Sequence, residues 1–251
     1  MPDERVTSRG SLLLAVARFT AQPVDEAMTV ATLRRGQIIC RRDAPITHFV
    51  FPLDAVISLV SRDSSGNGIE TGVIGREGCA GIEAILGNEL ALADAIVQMP
   101  GEAASVPVRV LREAAAAHPT LQQALLGFLG TLIGQLMQSA ACNRLHGVEA
   151  RCCRWLLAVR DRAGRNDLPL THEFLAEMLG VRRPTVTLVL QSLQQAGLVN
   201  GARGRLVVLD REGLVRTACD CHTIMTRLLN QAGLALTMTE QPSPTAIACS
   251  E

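Results

Sequence analysis

The sequence predicts an α+β fold in three parts: an N-terminal antiparallel β-roll of the jelly-roll type, a long helix suited to dimerisation, and a C-terminal winged helix-turn-helix domain. Short apolar runs alternate with turn residues between Leu33 and Val110, and an uninterrupted helical pattern follows from Pro119 to Leu145. Two short helical patterns then meet at a glycine within residues 170–199. We therefore divide the chain into N-terminal helices and roll at 1–118, long helix and hinge at 119–146, winged helix at 147–230 and a loosely ordered tail at 231–251.

The segment before Pro119 is predicted to hold one or two short helices followed by the strands of the roll. Residues 11–31 show helical spacing, and from Leu33 runs such as HFVFPL, AVISLV and IETGVIG alternate with turn residues, as antiparallel hairpins do. Further strands are expected at 95–99 and 103–110, and a short helix at 111–117 stops before Pro119. Many short strands favour a closed roll, because closure removes exposed strand edges.

The long helix carries two apolar stripes and is therefore predicted to pack on two partners. Leucines recur at helical spacing on one stripe, and three glycines lie on the other. Each interior glycine costs about 1 kcal/mol relative to alanine, so three on one face indicate the close approach of another backbone. We expect the same helix of a second subunit there; a core helix of a monomer is the alternative. The predicted dimer contacts are Leu125, Gly127, Leu129, Gly130, Leu132, Gly134, Leu136 and Met137.

Residues 170–199 are predicted to form two helices joined by a tight turn. Thr171 can cap the first helix, and Gly180 can end it in the left-handed conformation. A second helix begins near Arg182, and Pro184 is tolerated because its first turn needs no amide donor. A helix pair of this size, with arginines at the start of its second helix, is typical of a DNA-reading helix-turn-helix. Its predicted buried residues are Phe174, Leu175, Met178, Leu179, Val186, Val189, Leu190 and Leu193.

The rest of the C-terminal domain is predicted to consist of a helix before this pair and a wing after it. His146-Gly147 forms the hinge, and residues 148–164 have the pattern of a helix that packs on the helix-turn-helix. The turn at 200–204 lies between two apolar runs and predicts a two-stranded wing. A final helix from Arg211 to about Leu229 closes the domain. The predicted DNA contacts are Thr171, His172, Arg182, Arg183, Pro184, Thr185, Thr187, Leu188, Arg203 and Arg205.

Composition and charge agree with a cytoplasmic DNA-binding protein. The N-terminus lacks the pattern of a secretory signal, and no run of eighteen apolar residues predicts a membrane span. The formal net charge is zero, yet residues 151–216 carry eleven arginines against six acids, so the positive charge is concentrated in the C-terminal domain. All the basic residues except histidine are arginine, which binds phosphates and guanine edges at least as well as lysine.

The eight cysteines are not spaced as a disulfide framework, and in a cytosolic chain most should be reduced. Cys219-Asp220-Cys221-His222 resembles half of a zinc site. On a helix, however, residues 219 and 221 would point to different sides, and no second pair lies nearby in the sequence, so we predict no metal site. Cys152 and Cys153 are predicted to be buried packing thiols. No motif pairs a cysteine with a histidine base, so we expect no enzyme activity.

Three separated blocks resemble the Crp/Fnr family of bacterial transcription regulators. They are IGREG at 74–78, ACNRLHGVEARCCRWLL at 141–157 and LTHEFLAEMLGVRRPTVT at 170–187. The resemblance covers roughly residues 30–225. It implies a homodimer that binds double-stranded DNA at a palindromic operator, one half-site per recognition helix, and that acts with RNA polymerase to activate or repress transcription.

The resemblance also implies individual DNA contacts. The family's phosphate-binding threonine matches Thr171, and its guanine-reading arginine matches Arg183. Two positions depart from the family: a glutamate is replaced by Pro184, and an arginine one turn later by Leu188. Both replaced residues read bases by hydrogen bonds, whereas Leu188 can only touch a thymine methyl, with Thr187 available to a base edge. We expect an operator distinct from the family's best-known ones.

No cofactor is predicted from the resemblance. The segment NELALADAIVQM at 88–99, where the family's cyclic-nucleotide binders place an arginine against the phosphate, contains none, and a buried phosphate without a cation is costly. Cyclic AMP is therefore not expected. An iron-sulfur cluster is not expected either, since no cysteine precedes Cys40. Haem stays open, because His48, His118 and His146 lie in or near the roll.

Two classes of function fit the sequence. The first is a sequence-specific transcription regulator, and the second is a ligand-binding or scaffold protein whose winged helix mediates protein contacts. The effector, the operator and the sign of regulation are not encoded in any motif that we identify. Specific DNA binding that depends on Arg183 would separate the two classes.

Overall fold

The computed structural model describes residues 12–19, 23–202 and 204–238. An antiparallel roll comes first, a long helix follows it, and a winged helix-turn-helix completes the molecule, so the predicted fold class is confirmed. Within the described residues, the roll is built from two short helices, seven strands, a 3-10 helix (Ile82–Leu86) and a third α-helix. These are α1 (Leu12–Phe19), α2 (Pro23–Ala27), β1 (Thr29–Leu33), β2 (Ile38–Cys40), β3 (His48–Pro52), β4 (Val56–Arg62), β5 (Gly68–Ile74), β6 (Asp94–Met99), β7 (Gly101–Pro107) and α3 (Val108–Ala117).

The strands of the roll form two antiparallel sheets, with the orders β1-β7-β3 and β2-β6-β4-β5. Between them lies a core that includes Phe49, Phe51, Ile57 and Val97. Residues 29–31, predicted to be helical, instead belong to the edge strand β1. Its β-branched residues favour an extended backbone, and pairing with β7 from Thr29↔Ser105 to Leu33↔Gly101 satisfies that backbone. Helix α3 begins at Val108, three residues before the predicted start.

The long helix α4 (Pro119–Leu145) has the predicted limits. Proline occupies its first turn, where no amide donor is needed, and the backbone becomes extended at His146. By length and composition alone α4 could cross a membrane, but the core helix of a soluble protein passes the same test. In this molecule one face of α4 packs on the roll, with Leu121, Leu125, Phe128 and Leu132 buried in its core.

The C-terminal domain contains more elements than the sequence predicted. They are α5 (Val148–Ala163), β8 (Asp167–Leu168), α6 (His172–Leu179), α7 (Arg183–Gln195), β9 (Val199–Ala202), β10 (Arg205–Val208), α8 (Arg211–Thr217) and α9 (Cys221–Met238). The predicted two-stranded wing gains a third strand, because β8 pairs with β10. The predicted helix from Arg211 to Leu229 is two helices, interrupted at 218–220.

Helix α9 packs along α4 and extends to Met238, so residues 231–238 of the predicted tail are helical. The other tail residues, 239–251, lie outside the described part of the chain. The packing of α9 on α4, with Leu228 beside Gly134, supplies a stabilising contact that the sequence pattern did not predict. Together α4 and α9 join the roll to the C-terminal domain.

The two halves of the molecule share a core. The outer face of the sheet β2-β6-β4-β5 contributes Val60, Val73 and Ile96 to the same buried cluster as Trp155 of α5 and Leu175 of α6. Ser58, Glu70 and Gln98 are buried polar residues of the same three strands. The roll is therefore packed against the helix-turn-helix domain.

Candidate nucleic-acid interface

The helix-turn-helix is formed by α6 and α7, as the sequence predicted. Thr171 caps α6, its hydroxyl oxygen accepting a hydrogen bond from the Phe174 amide at 3.2 Å. Gly180 ends α6 in the left-handed conformation, with φ of 63°. The turn leads into α7, which buries Val186, Leu190 and Leu193. The opposite face of α7 is consequently free to meet a ligand.

The first turns of α7 present an exposed and positively charged surface. Arg182, Arg183 and Pro184 are exposed, and the side chain of Arg183 retains 67% of its accessible surface. Leu188, one turn further along, is equally exposed. Arg183 lies 4.0 Å from Glu173, but both side chains are solvated, and an exposed pair of this kind is weak. A phosphate or a guanine edge could therefore replace Glu173 as the partner of Arg183.

His172 and Thr187 hold each other in place across the helix pair. The Thr187 hydroxyl oxygen lies 3.2 Å from the Arg183 carbonyl oxygen and 3.0 Å from His172 Nδ1. In either tautomer of His172, the single hydroxyl proton is donated to one of these two groups. Thr187 can still accept from a base edge, but its capacity to donate is engaged within the protein. Thr185 is half-buried in the same turn.

The wing brings Arg205 to the same domain. Its guanidinium forms an exposed ion pair with Asp167 of β8, which holds the pKa of Asp167 below its ordinary value. Arg203, the other predicted wing contact, lies outside the described residues. The third strand explains why the pair forms, since β8 and β10 are neighbours. Nothing in the sequence pattern of residues 165–170 indicated that strand.

A contact that the sequence did not predict joins the roll to α6. Arg62, at the end of β4, donates to Glu177 Oε1 at 2.6 Å and to Asp94 Oδ2 at 2.9 Å. Beside it, Ile69 of β5 fills the space next to Gly180, where a Cβ atom would lie 2.7 Å from Ile69 Cδ1. The β4–β5 hairpin is therefore docked beside the start of the recognition helix.

The residues predicted to mediate dimerisation lie on three different sides of α4. Leu125 and Leu132 are fully or almost fully buried in the core of the roll, and Leu129 and Leu136 pack against it. For Leu125 and Leu132 the prediction is wrong, because the roll of their own chain already covers them. Gly134 lies beside the side chain of Leu228 of α9, so its neighbour also belongs to the same chain.

The solvent-exposed side of α4 holds the remaining predicted dimer residues. Among the described residues, no atom apart from the adjacent backbone of α4 lies within 4 Å of a Cβ built at Gly127 or Gly130. Met137 retains 70% of its accessible surface. Other large apolar side chains on this helix are also exposed, and the prediction omitted them. They are Leu126, Ile133 and Leu145.

The roll encloses a cavity of about 380 Å³, open to solvent on one side. Gly81, Glu83 and Ala93 line it together with His48 and Cys40, and there is no arginine among the lining residues in the described part of the chain. His118 is exposed at the start of α4, and His146 lies at its end. The three histidines that left haem open therefore belong to three separate parts of the fold.

Four metal-binding side chains meet where α4 ends, contrary to the prediction that no second pair accompanies Cys219 and Cys221. Cys142 and His146 lie one helical turn apart on α4, and Cys219 lies in the break between α8 and α9. The expected divergence of residues 219 and 221 required a continuous helix, which the break removes. A hydrogen bond from Cys219 lowers the pKa of Cys142 well below its ordinary value. By contrast, burial raises the pKa of the core thiols Cys152 and Cys153, as packing residues would show.

Two family models match separate parts of the chain: a cyclic nucleotide-binding domain at residues 30–118 and a Crp-like helix-turn-helix domain at residues 150–217. Among curated proteins, none matches the chain. Similar solved structures include FixK2 from Bradyrhizobium japonicum, with a TM-score of 0.66 and 16% identity over 76% of this chain and 98% of that one. A Crp/Fnr family transcriptional regulator from Eubacterium rectale has a TM-score of 0.60 and 18% identity over 77% and 91%. The c-di-GMP responsive regulator CLP of Xanthomonas campestris has a TM-score of 0.61 and 15% identity, over 74% of this chain and 95% of that one.

Proposed function

Because the chain belongs to the Crp/Fnr family of DNA-binding transcription regulators, we propose that it binds a palindromic operator as a homodimer, with one recognition helix in each half-site. The observation that carries the proposal is the exposed first turn of α7, where Arg182 and Arg183 follow a capped turn. Helix-turn-helix proteins read base edges with the N-terminal residues of this helix. Within the proposal, Thr171 and Arg205 of the same domain contact phosphates.

Within this proposal Arg183 reads guanine, and Leu188 marks a position with reduced hydrogen-bond readout. An arginine can form two hydrogen bonds with the O6 and N7 atoms of guanine, whereas a leucine can only contact a thymine methyl. Within the described residues the Leu188 side chain is largely exposed, so burial does not explain its position. Operator preference should therefore be strong at the base read by Arg183 and weak one turn further along.

Replacement of Arg183 tests the proposal directly. We expect Arg183→Ala to weaken binding to the protein's own promoter DNA by about 1 to 3 kcal/mol and to relax base preference at one position of each half-site. Arg112→Ala is the matched control, because Arg112 is an exposed arginine of α3, far along the chain from the helix-turn-helix. Affinities are measured by fluorescence anisotropy at several salt concentrations. Equal binding to promoter and random DNA would favour the scaffold function instead.

The exposed side of α4 supports homodimerisation. An exposed apolar stripe runs along α4 and consists of Leu126, Gly130, Ile133 and Met137 at helical spacing. The roll and α9 cover the other sides of the helix. Contiguous exposed apolar surface on a soluble protein marks an interaction site, and the small glycine allows close helix approach. A dimer formed by pairing two such stripes would carry two recognition helices, one from each subunit.

A charge placed in this stripe should prevent self-association. We expect Met137→Glu to convert the protein to monomers at micromolar concentration and to reduce operator affinity more than 10-fold, because two half-sites would no longer be bound together. Leu92→Glu provides a control, since Leu92 is a similarly exposed apolar residue of the roll. Molar mass is measured by light scattering after size-exclusion chromatography. A Met137→Glu dimer would show that the interface lies elsewhere.

The cavity of the roll supports an effector other than cyclic AMP. Its lining provides Glu83 but no arginine, so the negative charge of a cyclic phosphate would be unbalanced. We expect no increase in the melting temperature of the protein in about 1 mM cyclic AMP. At this concentration a ligand with a Kd of about 1 μM would stabilise the folded protein by about 4 kcal/mol. A clear increase would overturn this part of the proposal.

The remaining parts of the proposal follow from the family. A regulator bound at a promoter acts through RNA polymerase, which we include as its partner, and its place of action is the cytoplasm. The family consists of transcription regulators, and we propose no catalytic role for this member.

A further inference from the structure

Four potential metal-ligand atoms lie close together at the end of α4. Cys142 Sγ lies 3.5 Å from Cys219 Sγ, and Cys221 Sγ lies 3.5 Å from His146 Nδ1. All four donor atoms fall within 4.8 Å of one another. We propose that Cys142, His146, Cys219 and Cys221 bind a single zinc ion as a structural Cys3His site.

The distances fit zinc because its bonds to sulfur and nitrogen are short and tetrahedral. Bond lengths of about 2.3 Å to sulfur and about 2.0 Å to nitrogen give edges of about 3.8 Å between two sulfurs and about 3.5 Å between sulfur and nitrogen. The observed separations are close to both values. A cluster of several irons would need more room between the thiols. Four protein ligands leave no open position, as in structural rather than catalytic zinc sites.

The groups around the four donors are those that a metal site requires. Asp220 Oδ1 lies 3.4 Å from His146 Nε2, so the carboxylate can hold the imidazole with Nδ1 directed at the ion. Gln138 donates from Nε2 to Cys221 Sγ at 3.0 Å. Carboxylate–histidine pairs and donors to thiolates of this kind orient ligands and tune their charge.

Two buried arginines supply the charge that such a site would need. Arg151 and Arg154 of α5 are only 6% and 7% exposed, and neither forms an ion pair with a carboxylate within the described chain. Their Nε atoms are buried without a hydrogen-bond partner. Arg154 Nη1 lies 3.5 Å from Met225 Sδ, one helical turn after Cys221 on α9, so this guanidinium lies near the proposed site. Zinc with three thiolates and a neutral imidazole has a net charge of −1, which would partly balance two cations that are otherwise costly to bury.

The position of the site gives it a mechanical role. Cys142 and His146 belong to the last turn of α4, next to the hinge at Gly147, whereas Cys219 and Cys221 begin the segment that leads into α9. An ion held by all four would tie α9 and the end of the winged helix domain to the long helix. Cys219 and Cys221 lie beyond the segment 150–217 that matches the Crp-like helix-turn-helix model. The proposal does not depend on DNA binding.

Cobalt titration of the reduced, metal-free full-length protein tests the site. Tetrahedral Co²⁺ bound by thiolates has intense visible bands and a near-ultraviolet charge-transfer band, both of which Zn²⁺ should abolish on displacing it. We expect saturation at one Co²⁺ per chain, and one zinc per chain in untreated protein by elemental analysis. Absence of both the bands and the zinc would overturn the proposal. The proposal would also be overturned if the purified protein contained a Cys142–Cys219 disulfide and did not bind Co²⁺ after that disulfide was reduced.

Variants locate the ion. Cys142→Ser and Cys219→Ser should lose the one-to-one Co²⁺ signal, while Cys40→Ser, which removes a thiol of the roll, should keep it. Asp220→Asn leaves all four ligands in place and should weaken Co²⁺ binding about 10- to 100-fold, as loss of a histidine-orienting carboxylate does. This variant keeps the proposal testable if a ligand variant fails to fold. Unchanged Co²⁺ binding in Cys142→Ser would place the ion elsewhere and refute the assignment.

Discussion

Glu70 illustrates how a single residue responds to its position between two domains. Its carboxyl group is buried in the outer face of the β4–β5–β6 sheet, and Ser58 Oγ lies 2.6 Å from it and 2.9 Å from Gln98 Oε1. One hydroxyl proton cannot serve two acceptors. A protonated Glu70 resolves the arrangement by donating to Ser58, which then donates to Gln98. Burial raises the pKa of Glu70 to about 7, although Ser58 and Arg154 oppose the rise.

The raised pKa of Glu70 predicts a pH dependence of stability. The folded protein holds this proton more tightly than the unfolded chain, whose carboxyl has the ordinary pKa of 4.5. The contribution of Glu70 to the free energy of unfolding should therefore fall by about 3 kcal/mol as pH rises from about 4.5 through 7. This contribution is the difference between the pH profiles of the unmodified protein and Glu70→Gln. Denaturant unfolding at pH 5, 6, 7 and 8 measures it. His222, whose pKa burial lowers, contributes an opposite slope that both proteins share. Parallel profiles for the two proteins would contradict the prediction.

Several of the proposed DNA-contact residues could be identified from the sequence, but their hydrogen-bond partners within the protein could not. Thr171 and Gly180 were placed by the chemistry of helix ends, which depends on neighbours within four residues. The bond between His172 and Thr187, by contrast, depends on how α6 crosses α7. The same holds for Arg62 and Glu177, whose pairing joins residues 115 apart in the chain.

Among the elements, α4 shows most clearly what a periodic pattern leaves open. The pattern predicted its limits and its two apolar stripes, but not which stripe faces which partner. In the structure the leucines pack on the roll, Gly134 faces α9, and the stripe of Leu126, Ile133 and Met137 remains exposed. Apolar spacing defines a face of a helix. Only the arrangement of the other elements decides what that face meets.

Two adjacent residues on opposite sides of α4 should respond differently to truncation. Leu132→Ala should lower the free energy of unfolding by about 2 to 5 kcal/mol, because it leaves a cavity in the core of the roll. This loss should be the same at every protein concentration when urea unfolding is followed by circular dichroism. Ile133→Ala should instead reduce the dependence of stability on concentration, since it weakens the proposed dimer. If Leu132→Ala were nearly neutral, the leucine stripe would not be in the core.

At the scale of the whole molecule, the contact between the roll and α6 connects the two domains. Arg62 bridges Asp94 of the roll and Glu177 of the helix-turn-helix, and the hydrophobic core beneath is continuous between the domains. Although burial opposes it, hydrogen bonds from the Arg42 amide and Arg62 hold the pKa of Asp94 below its ordinary value, so this carboxylate stays charged. The domain that reads DNA is therefore connected to the domain that encloses the cavity.

Loss of the Arg62 bridge should destabilise the molecule through the charge left behind. We expect Arg62→Ala to cost about 1 to 3 kcal/mol, since Asp94 keeps its burial without its guanidinium partner. Glu177→Ala removes only the half-exposed contact between domains and should cost less than about 1 kcal/mol. Scanning calorimetry of both variants measures the difference. Equal losses of stability in the two variants would mean that burial of the Asp94 carboxylate does not require the Arg62 guanidinium.

The sequence by itself determined the order of the roll, long helix and winged helix-turn-helix, the caps of α6, the exposed Arg183 and the excess of arginine in the C-terminal domain. Periodicity, capping and composition act over short distances along the chain and can be read from it. The tertiary structure alone decided the strand pairings of β1 and β8, the partners of each side of α4, the docking of the hairpin on α6 and the meeting of Cys142 and His146 with Cys219 and Cys221. These contacts join segments far apart in sequence, and they form because burying their surfaces together offsets the entropy lost in closing the chain between them.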